Sequence, residues 1–370
     1  MNTASDQRLY QVALTLLPNI GAVLAKNLIA YCGSAEKVFK TSKSKLERIP
    51  LIGPDRAESI VKANVMAEAE AEMKFIEEYK IQTLFFTDKD YPQRLKECGD
   101  APMLLFYRGN ADLNAEKVVG IVGTRRATEY GRELTEKLVE KLSSLNVLIV
   151  SGLAYGIDIV AHQASLEHNL KTVGVLGHGM NTIYPSQHTS VAKKMIAQGG
   201  LLTEYKSTDE MSPHKFPARN RIVAGMSDAV VVVESKLGGG ALLTANIANS
   251  YNRDVFTFPG RTTDRMSEGC NFLVKSYKAA LIENGDDLVK AMLWENPPDG
   301  KKAKPQRQLN LSLSEDEQKL FALLNEKGEV EIDHIASETG LASSSLAAIL
   351  LEMEMNNIIT SLPGKRYKLI

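Results

Sequence analysis

Between residues 115 and 290 the chain repeats one pattern: a short unbroken apolar run, then a stretch whose apolar residues recur every three or four positions. The runs are Val118–Val122, Val147–Val150, Thr172–Leu176, Leu201–Thr203, Ala229–Val233, Val255–Phe258 and Ala280–Ile282. Runs rich in Val and Ile without polar alternation suit strands covered on both faces. Across Arg132–Leu145, Leu134, Leu138, Leu142 and Leu145 keep helical spacing. Strands alternating with helices predict an α/β core built on a doubly wound parallel sheet.

The flanks follow other patterns. Residues 1–80 read as all helical, with helices over Ala22–Tyr31 and Asp55–Met66. Each is preceded by a Gly-containing turn, Pro18-Asn19-Ile20-Gly21 and Pro50-Leu51-Ile52-Gly53-Pro54. The pair resembles a helix-hairpin-helix module, whose turn N–H groups contact DNA phosphates without reading sequence. Lys26, Arg56 and Lys62 lie nearby, but so do Glu68, Glu70, Glu72, Glu77 and Glu78, so a purely structural helical domain fits as well. Residues 81–115 read as a connector broken by Tyr91-Pro92 and Ala101-Pro102. Residues 296–311 hold Pro297, Pro298, Pro305, Lys301, Lys302, Lys304 and Arg307 against the single acid Asp299, the composition of a flexible basic linker. From 312 to 370 come helices over Ser314–Asn325, Ile332–Thr339 and Ser343–Asn357, then a hairpin around Pro363-Gly364. That layout resembles a winged helix. Its third helix carries Glu352 and Glu354 and neither Arg nor Lys, which favours a protein-contact or regulatory role over contact with DNA.

Composition narrows the function classes. At 370 residues the chain is long enough for two or three domains, and 44% hydrophobic and 24% charged residues are the proportions of a soluble globular protein. The net charge of −1 makes any nucleic-acid site a local patch. No apolar run is long enough to cross a bilayer, and Met1–Arg8 lacks a signal-peptide pattern. Cys32, Cys98 and Cys270 are scattered, as befits a reducing cytoplasm, and the six histidines form no zinc motif, so no metal or other cofactor is expected.

Candidate chemistry gathers at the carboxyl ends of the predicted strands, where ligands of open α/β sheets bind. Glycine-bearing turns follow five of them: Gly123-Thr124-Arg125-Arg126, Ser151-Gly152-Leu153-Ala154, Gly177-His178-Gly179, Gly238-Gly239-Gly240 and Pro259-Gly260-Arg261. Gly123, Thr124, Ser151, Gly152, Gly177, Gly239 and Gly240 are the candidate phosphate-contacting positions, since glycine lets backbone N–H groups approach an oxyanion closely. Between two strands lies Lys215-Phe216-Pro217-Ala218-Arg219-Asn220-Arg221, in a window from Met211 to Ser227 that holds no Glu and no Asp. Its cations attract phosphate and its ring offers a face to a base. An ordinary solvated loop whose cations pair with distant acids would read the same way. A dinucleotide fingerprint and a P-loop lysine are both missing. Asp158, at a helix start, reads as a cap rather than a catalytic acid, and His162 as a packed or hydrogen-bonded histidine.

Together these motifs resemble the DNA-processing protein A family, also called Smf. The match runs through Gly123-Thr124-Arg125, Ser151-Gly152-Leu153-Ala154-Tyr155-Gly156-Ile157-Asp158, Ala161-His162-Gln163-Ala164, Gly177-His178-Gly179, Tyr184-Pro185, Phe216-Pro217-Ala218-Arg219-Asn220-Arg221, Pro259-Gly260 and Gly269-Cys270-Asn271. The resemblance implies a Rossmann-like core that binds single-stranded DNA, forms a homodimer and loads the RecA recombinase onto incoming strands in natural transformation. By the same motifs Arg125, Lys215, Arg219 and Arg221 become phosphate contacts, with Phe216 and Asn220 beside them. The chain departs from the family pattern at Gly239-Gly240-Ala241-Leu242 and around Lys275-Ser276-Tyr277-Lys278-Ala279.

Two rivals from other classes stay open at this point. One is a phosphoribohydrolase-like enzyme on a related fold, whose glycine turn is followed by a catalytic Glu. Here that turn continues Ala241-Leu242-Leu243-Thr244-Ala245-Asn246, with no carboxylate. The other is a nucleotide-sensing regulator with a DNA-binding tail.

Overall fold

The structure, a computed structural model, describes residues 3–295, 314–356, 358–362 and 365–369. The chain divides into two compact units, one reaching Glu295 and one beginning at Asn296. The expected basic linker lies outside the described residues.

Nine strands of the first unit form one sheet among the described residues: β1 (Gln82–Phe85), β2 (Leu104–Gly109), β3 (Val118–Val122), β4 (Leu148–Ser151), β5 (Thr172–Val175), β6 (Gly200–Thr203), β7 (Ala229–Val232), β8 (Asp254–Thr257) and β9 (Ala280–Leu281). Their order is β1-β2-β6-β5-β4-β3-β7-β8-β9. From β6 to β9 every neighbouring pair is parallel. The chain starts this part in the middle, at β3, winds outward to β6, then returns to lay β7 on the other side of β3. Successive strand residues feed opposite cores. Val118 and Val122 pack with Val230, Val232 and Ile222 on one face, while Val119 and Ile121 pack with Val231, Leu138 and Leu142 on the other. Helices Lys215–Met226 and Gly240–Ser250 cover the first face, Glu129–Ser143 and Ile157–Glu167 the second. Both faces being covered is why these strands lack polar alternation.

Two features depart from the sequence reading. The stretch expected as a connector contributes β1 and β2, which pair antiparallel with each other and with β6, so the sheet is mixed at that edge. Leu104, Leu105, Phe106 and Tyr107 are all buried, Leu104 and Phe106 facing one core and Leu105 and Tyr107 the other. Pro92 caps a one-turn helix, Gln93–Lys96, and Pro102 stands two residues before β2, so neither proline interrupts a strand. The N-terminal helices, in turn, are not separated from the sheet. Val12, Leu14, Leu28 and Ile60 share one core with Phe85, Met103, Leu104 and Phe106. Buried Glu72 reinforces that seam by accepting hydrogen bonds from the Ser207 backbone N–H at 2.9 Å and from its hydroxyl at 2.5 Å. The second expected N-terminal helix runs over Gly53–Lys62, with Pro54 in its first turn; a further helix, Met66–Glu78, carries the run of glutamates.

In the second unit, helices Glu315–Lys327, Ile332–Thr339 and Ser343–Met355 enclose a core of Leu320, Leu324, Ile335, Leu346, Leu350 and Ile359. Strands β10 (Val330–Glu331), β11 (Ile359–Leu362) and β12 (Arg366–Leu369) form a three-stranded antiparallel sheet in the order β10-β12-β11. Ser314 and Glu317 cap the first helix reciprocally. Glu354 accepts from the Ser361 N–H and hydroxyl, tying the third helix to β11. Among the described residues no helix is long and apolar enough to cross a membrane.

Candidate nucleic-acid interface

The loops leaving β3 and β7 run to opposite sides, because the strand order reverses between these neighbours. Such a switch point opens a crevice at the carboxyl ends of the strands. A cleft of about 610 Å³ opens there, its walls formed by Gly123, Thr124, Arg125 and Arg126 after β3, by Phe216, Pro217 and Asn220, by Ser235, Lys236, Gly239 and Gly240 after β7, and by Arg265 after β8. Arg125 and Arg126 are exposed, and neither forms an ion pair among the described residues. Phe216 is half-buried at the edge of the cleft. Its ring lies 5.9 Å from that of Tyr184, tilted at 43°, and the Arg125 guanidinium stands 5.7 Å from its centre. Gly240 and Ala241 open helix Gly240–Ser250, whose first-turn N–H groups lack partners within the helix and favour negative charge.

The basic segment expected as a loop is instead the start of helix Lys215–Met226. Pro217 is tolerated because it falls in the first turn, and the buried Ile222, Val223, Ala224 and Met226 hold the helix on the sheet. Helical geometry sends the three cations of this segment in different directions. Arg219 turns inward, 4% exposed, and donates to the backbone carbonyls of Gly152 and Val175 at the ends of β4 and β5. The guanidinium lies on Gly152 so closely that a Cβ there would sit 2.4 Å from it, which explains the glycine. Burial pulls the Arg219 pKa down from its ordinary value, and the buried carboxylate of Asp158 opposes that shift. Arg221 faces away from the cleft and pairs with Glu204 at 2.5 Å; burial pushes the Glu204 carboxyl up and Arg221 counters it. Lys215 reaches Asp209 at 3.1 Å and the Glu210 carbonyl at 2.9 Å.

These findings correct the expectation that no nearby acid competes for the segment. Asp209 and Glu210 stand just before the acid-free window, and Glu204 arrives from the end of β6. Arg219 and Arg221 are fastened to the protein, Arg219 while also lining the cleft beside Phe216 and Asn220; Asn220 accepts from the Arg219 Nε at 3.3 Å.

The glycine turns divide in the same way. Gly123, Thr124, Gly239 and Gly240 line the cleft. Ser151 is buried and donates to the Ile121 carbonyl at 2.6 Å, Gly152 lies under Arg219, and buried Gly177 packs against Phe216. These last three are buried and do not line the cleft. Lys236 and Arg265, both exposed, are cleft residues that motif reading passed over. Only the topology, which brings the ends of β7 and β8 beside that of β3, marks them.

The acid and base candidates are committed elsewhere. The Asp158 carboxylate accepts from the N–H groups of Gly152 at 3.1 Å and Ala154 at 3.4 Å, so it fastens the loop before its helix, whose N-cap is Gly156. Burial raises its pKa, with Arg219 opposing. His162 is fully buried with Nδ1 2.7 Å from the Thr172 hydroxyl, and burial lowers its pKa to about 3. Glu234, before the glycine turn, is buried and accepts from the Thr128 N–H at 3.0 Å and its hydroxyl at 2.5 Å. Among the described residues no group of three or more His, Cys, Asp or Glu could hold a metal ion.

Comparison with known proteins agrees with this architecture. Residues 82–293 match the model of the DNA recombination-mediator protein A family, and residues 303–365 match its winged-helix domain. Protein Smf of Synechocystis sp. is 31% identical over 99% of each chain. The crystal structure of DNA processing protein A from Streptococcus pneumoniae covers 76% of this chain and 97% of its own, with a TM-score of 0.68 and 30% identity. A solved structure of DNA processing protein A from Helicobacter pylori, a protein with a single-stranded DNA binding mode, covers 58% of this chain and 96% of its own, with a TM-score of 0.53 and 30% identity.

Proposed function

The chain belongs to the DNA recombination-mediator protein A family, and on that premise we propose that it binds single-stranded DNA across the cleft between the β3 and β7 loops. The observation that carries this reading is the exposed, unpaired pair Arg125 and Arg126 beside the half-buried ring of Phe216, at the switch point of the sheet. The cations neutralise backbone phosphates and release condensed counterions, a contribution independent of sequence. The ring supplies a stacking face that any base can use. The first-turn N–H groups at Gly240 add a dipole favourable to an anion. Lys215, held by Asp209, joins the contacts when a phosphate replaces that carboxylate. Arg219 acts as a positioning residue beneath them.

Binding of oligo(dT) and of a duplex of equal length across a range of salt tests the reading. The single strand binds more tightly. Its logarithmic salt slope flattens by about 0.7 in Arg125→Ala, one phosphate's worth. In Phe216→Ala the affinity drops by about 1–3 kcal/mol while the slope stays near that of the parent. Equal binding of duplex and single strand, or an unchanged slope in Arg125→Ala, counts against the site. The rival enzymatic reading has less support: Glu234 and Asp158 are both spent on backbone and hydroxyl partners within the protein. Release of free base from nucleoside monophosphates would revive it.

Protection of incoming strands and loading of the RecA recombinase in natural transformation, with a homodimer formed through the sheet unit, complete the proposal; family membership supports them. A monomer by light scattering at micromolar concentration, together with failure to capture the recombinase, removes that part.

A further inference from the structure

We infer that the bound strand is gripped from both walls of the cleft, with Lys236 and Arg265 as phosphate contacts facing Arg125 and Arg126. The inference rests on the reading of the cleft as the single-strand site and extends it to residues that no motif marks. Both side chains are exposed, both line the cleft, and neither forms an ion pair among the described residues. Their two loops are tied to each other and to the first wall. The Gly269 N–H donates to the Ser235 carbonyl at 2.7 Å, and a Cβ at Gly269 would lie 2.6 Å from that oxygen, so only glycine admits the contact. The Gly239 N–H donates to the Lys236 carbonyl at 3.0 Å, fixing the backbone from which Lys236 projects. In the β8 loop, Asp264 accepts from the Met266 N–H and the Ser267 hydroxyl, spending the nearest acid in the chain to Arg265 on its own turn. Met266 then meets the Thr124 hydroxyl at 3.7 Å, and the Tyr130 hydroxyl donates to the Pro259 carbonyl at 3.2 Å.

Four unpaired cations therefore surround one crevice on loops with little freedom to move apart. No ion pair among the described residues offsets the Coulomb repulsion between them, and a polyanion threading the crevice relieves it along its length. A strand lying along helix Lys215–Met226 alone would meet only the first wall.

The test is oligo(dT) binding by the full chain against salt, comparing the parent with Lys236→Gln, Arg265→Gln and their double variant. Lys193→Gln, exposed on helix Thr189–Gln198 and outside the cleft, is the control. Each single change should flatten the logarithmic slope by about 0.7 and the pair by about 1.4. Lys236→Arg should restore the parent slope and the control should keep it. Melting curves check that each variant folds. A double variant with the parent slope, in a background where Arg125→Ala still weakens binding, overturns this inference and leaves the site itself standing. A parent that fails to bind single strands overturns both.

Discussion

Arg219→Ala loses about 3–5 kcal/mol of stability, because it leaves the carbonyls of Gly152 and Val175 without a donor and the buried Asp158 without its opposing charge. Urea unfolding, read by fluorescence and by circular dichroism, measures the loss. The molecules that stay folded should bind oligo(dT) with the salt slope of the parent, since two backbone carbonyls already engage the guanidinium at the cleft wall. A slope flattened by about 0.7, with unchanged stability, would return Arg219 to the role its motif implied. Arg219→Lys separates charge from shape. A lysine keeps the charge but lacks the planar fork that reaches two carbonyls, so most of the loss should remain.

Acid destabilises the protein through His162. The Thr172 hydroxyl donates to the Ile149 carbonyl at 3.1 Å, so it accepts from His162 Nδ1–H, and Nε2 is left buried without a partner. Protonation would place a second N–H, and a charge, where nothing accepts either. The folded pKa of about 3 lies below the ordinary value of 6.5. The neutral ring therefore costs nothing above pH 6.5. As pH falls below that, the unfolded chain binds a proton that the folded chain refuses, and stability declines by about 1.4 kcal/mol per pH unit until the folded pKa is reached. Between pH 7 and pH 4 the parent should lose about 3 kcal/mol more than His162→Gln. Parallel decline of the two proteins would mean that other groups carry the acid sensitivity; His178, whose pKa burial also lowers, is the next to examine.

The sequence exposes its central strands plainly. Val118–Val122 and Ala229–Val232 are apolar throughout because helices cover both of their faces. The antiparallel edge is harder to see. β2 opens as an apolar run, Leu104 to Tyr107, but it closes on Arg108 and Gly109 and follows Pro92 and Pro102, and the burial of its outer face depends on helices contributed from the beginning of the chain. The basic segment shows where local reading fails. Pro217 and three cations hide a helix, and the partners that decide their roles are distant, with Glu204 17 positions away from Arg221 and Gly152 67 positions away from Arg219. Charge along a chain reveals which groups could meet phosphate; only the fold reveals which of them are already occupied. The reverse holds for Arg125 and Arg126, whose motif and freedom coincide, and for Lys236 and Arg265, which are free but carry no motif.

The reversal of strand order between β3 and β7 also has a bearing on how the chain acquires its cleft. The register Val119↔Ala229 joins positions far apart in sequence, and closing so long a loop is slow compared with pairing β3, β4 and β5 in turn. A chain leaving the ribosome can complete the half-sheet from β3 to β6, with Arg125 and Arg126 on its rim, before β7 and β8 have emerged. That half-sheet offers a single charged wall and an open edge at β3 where β7 belongs, so nucleic acid meeting it early would bind weakly and could be displaced as β7 docks. If single strands bind in the cleft as proposed, tight binding arrives together with the pairing of β7 on β3, and affinity for a single strand becomes a reporter of the completed sheet.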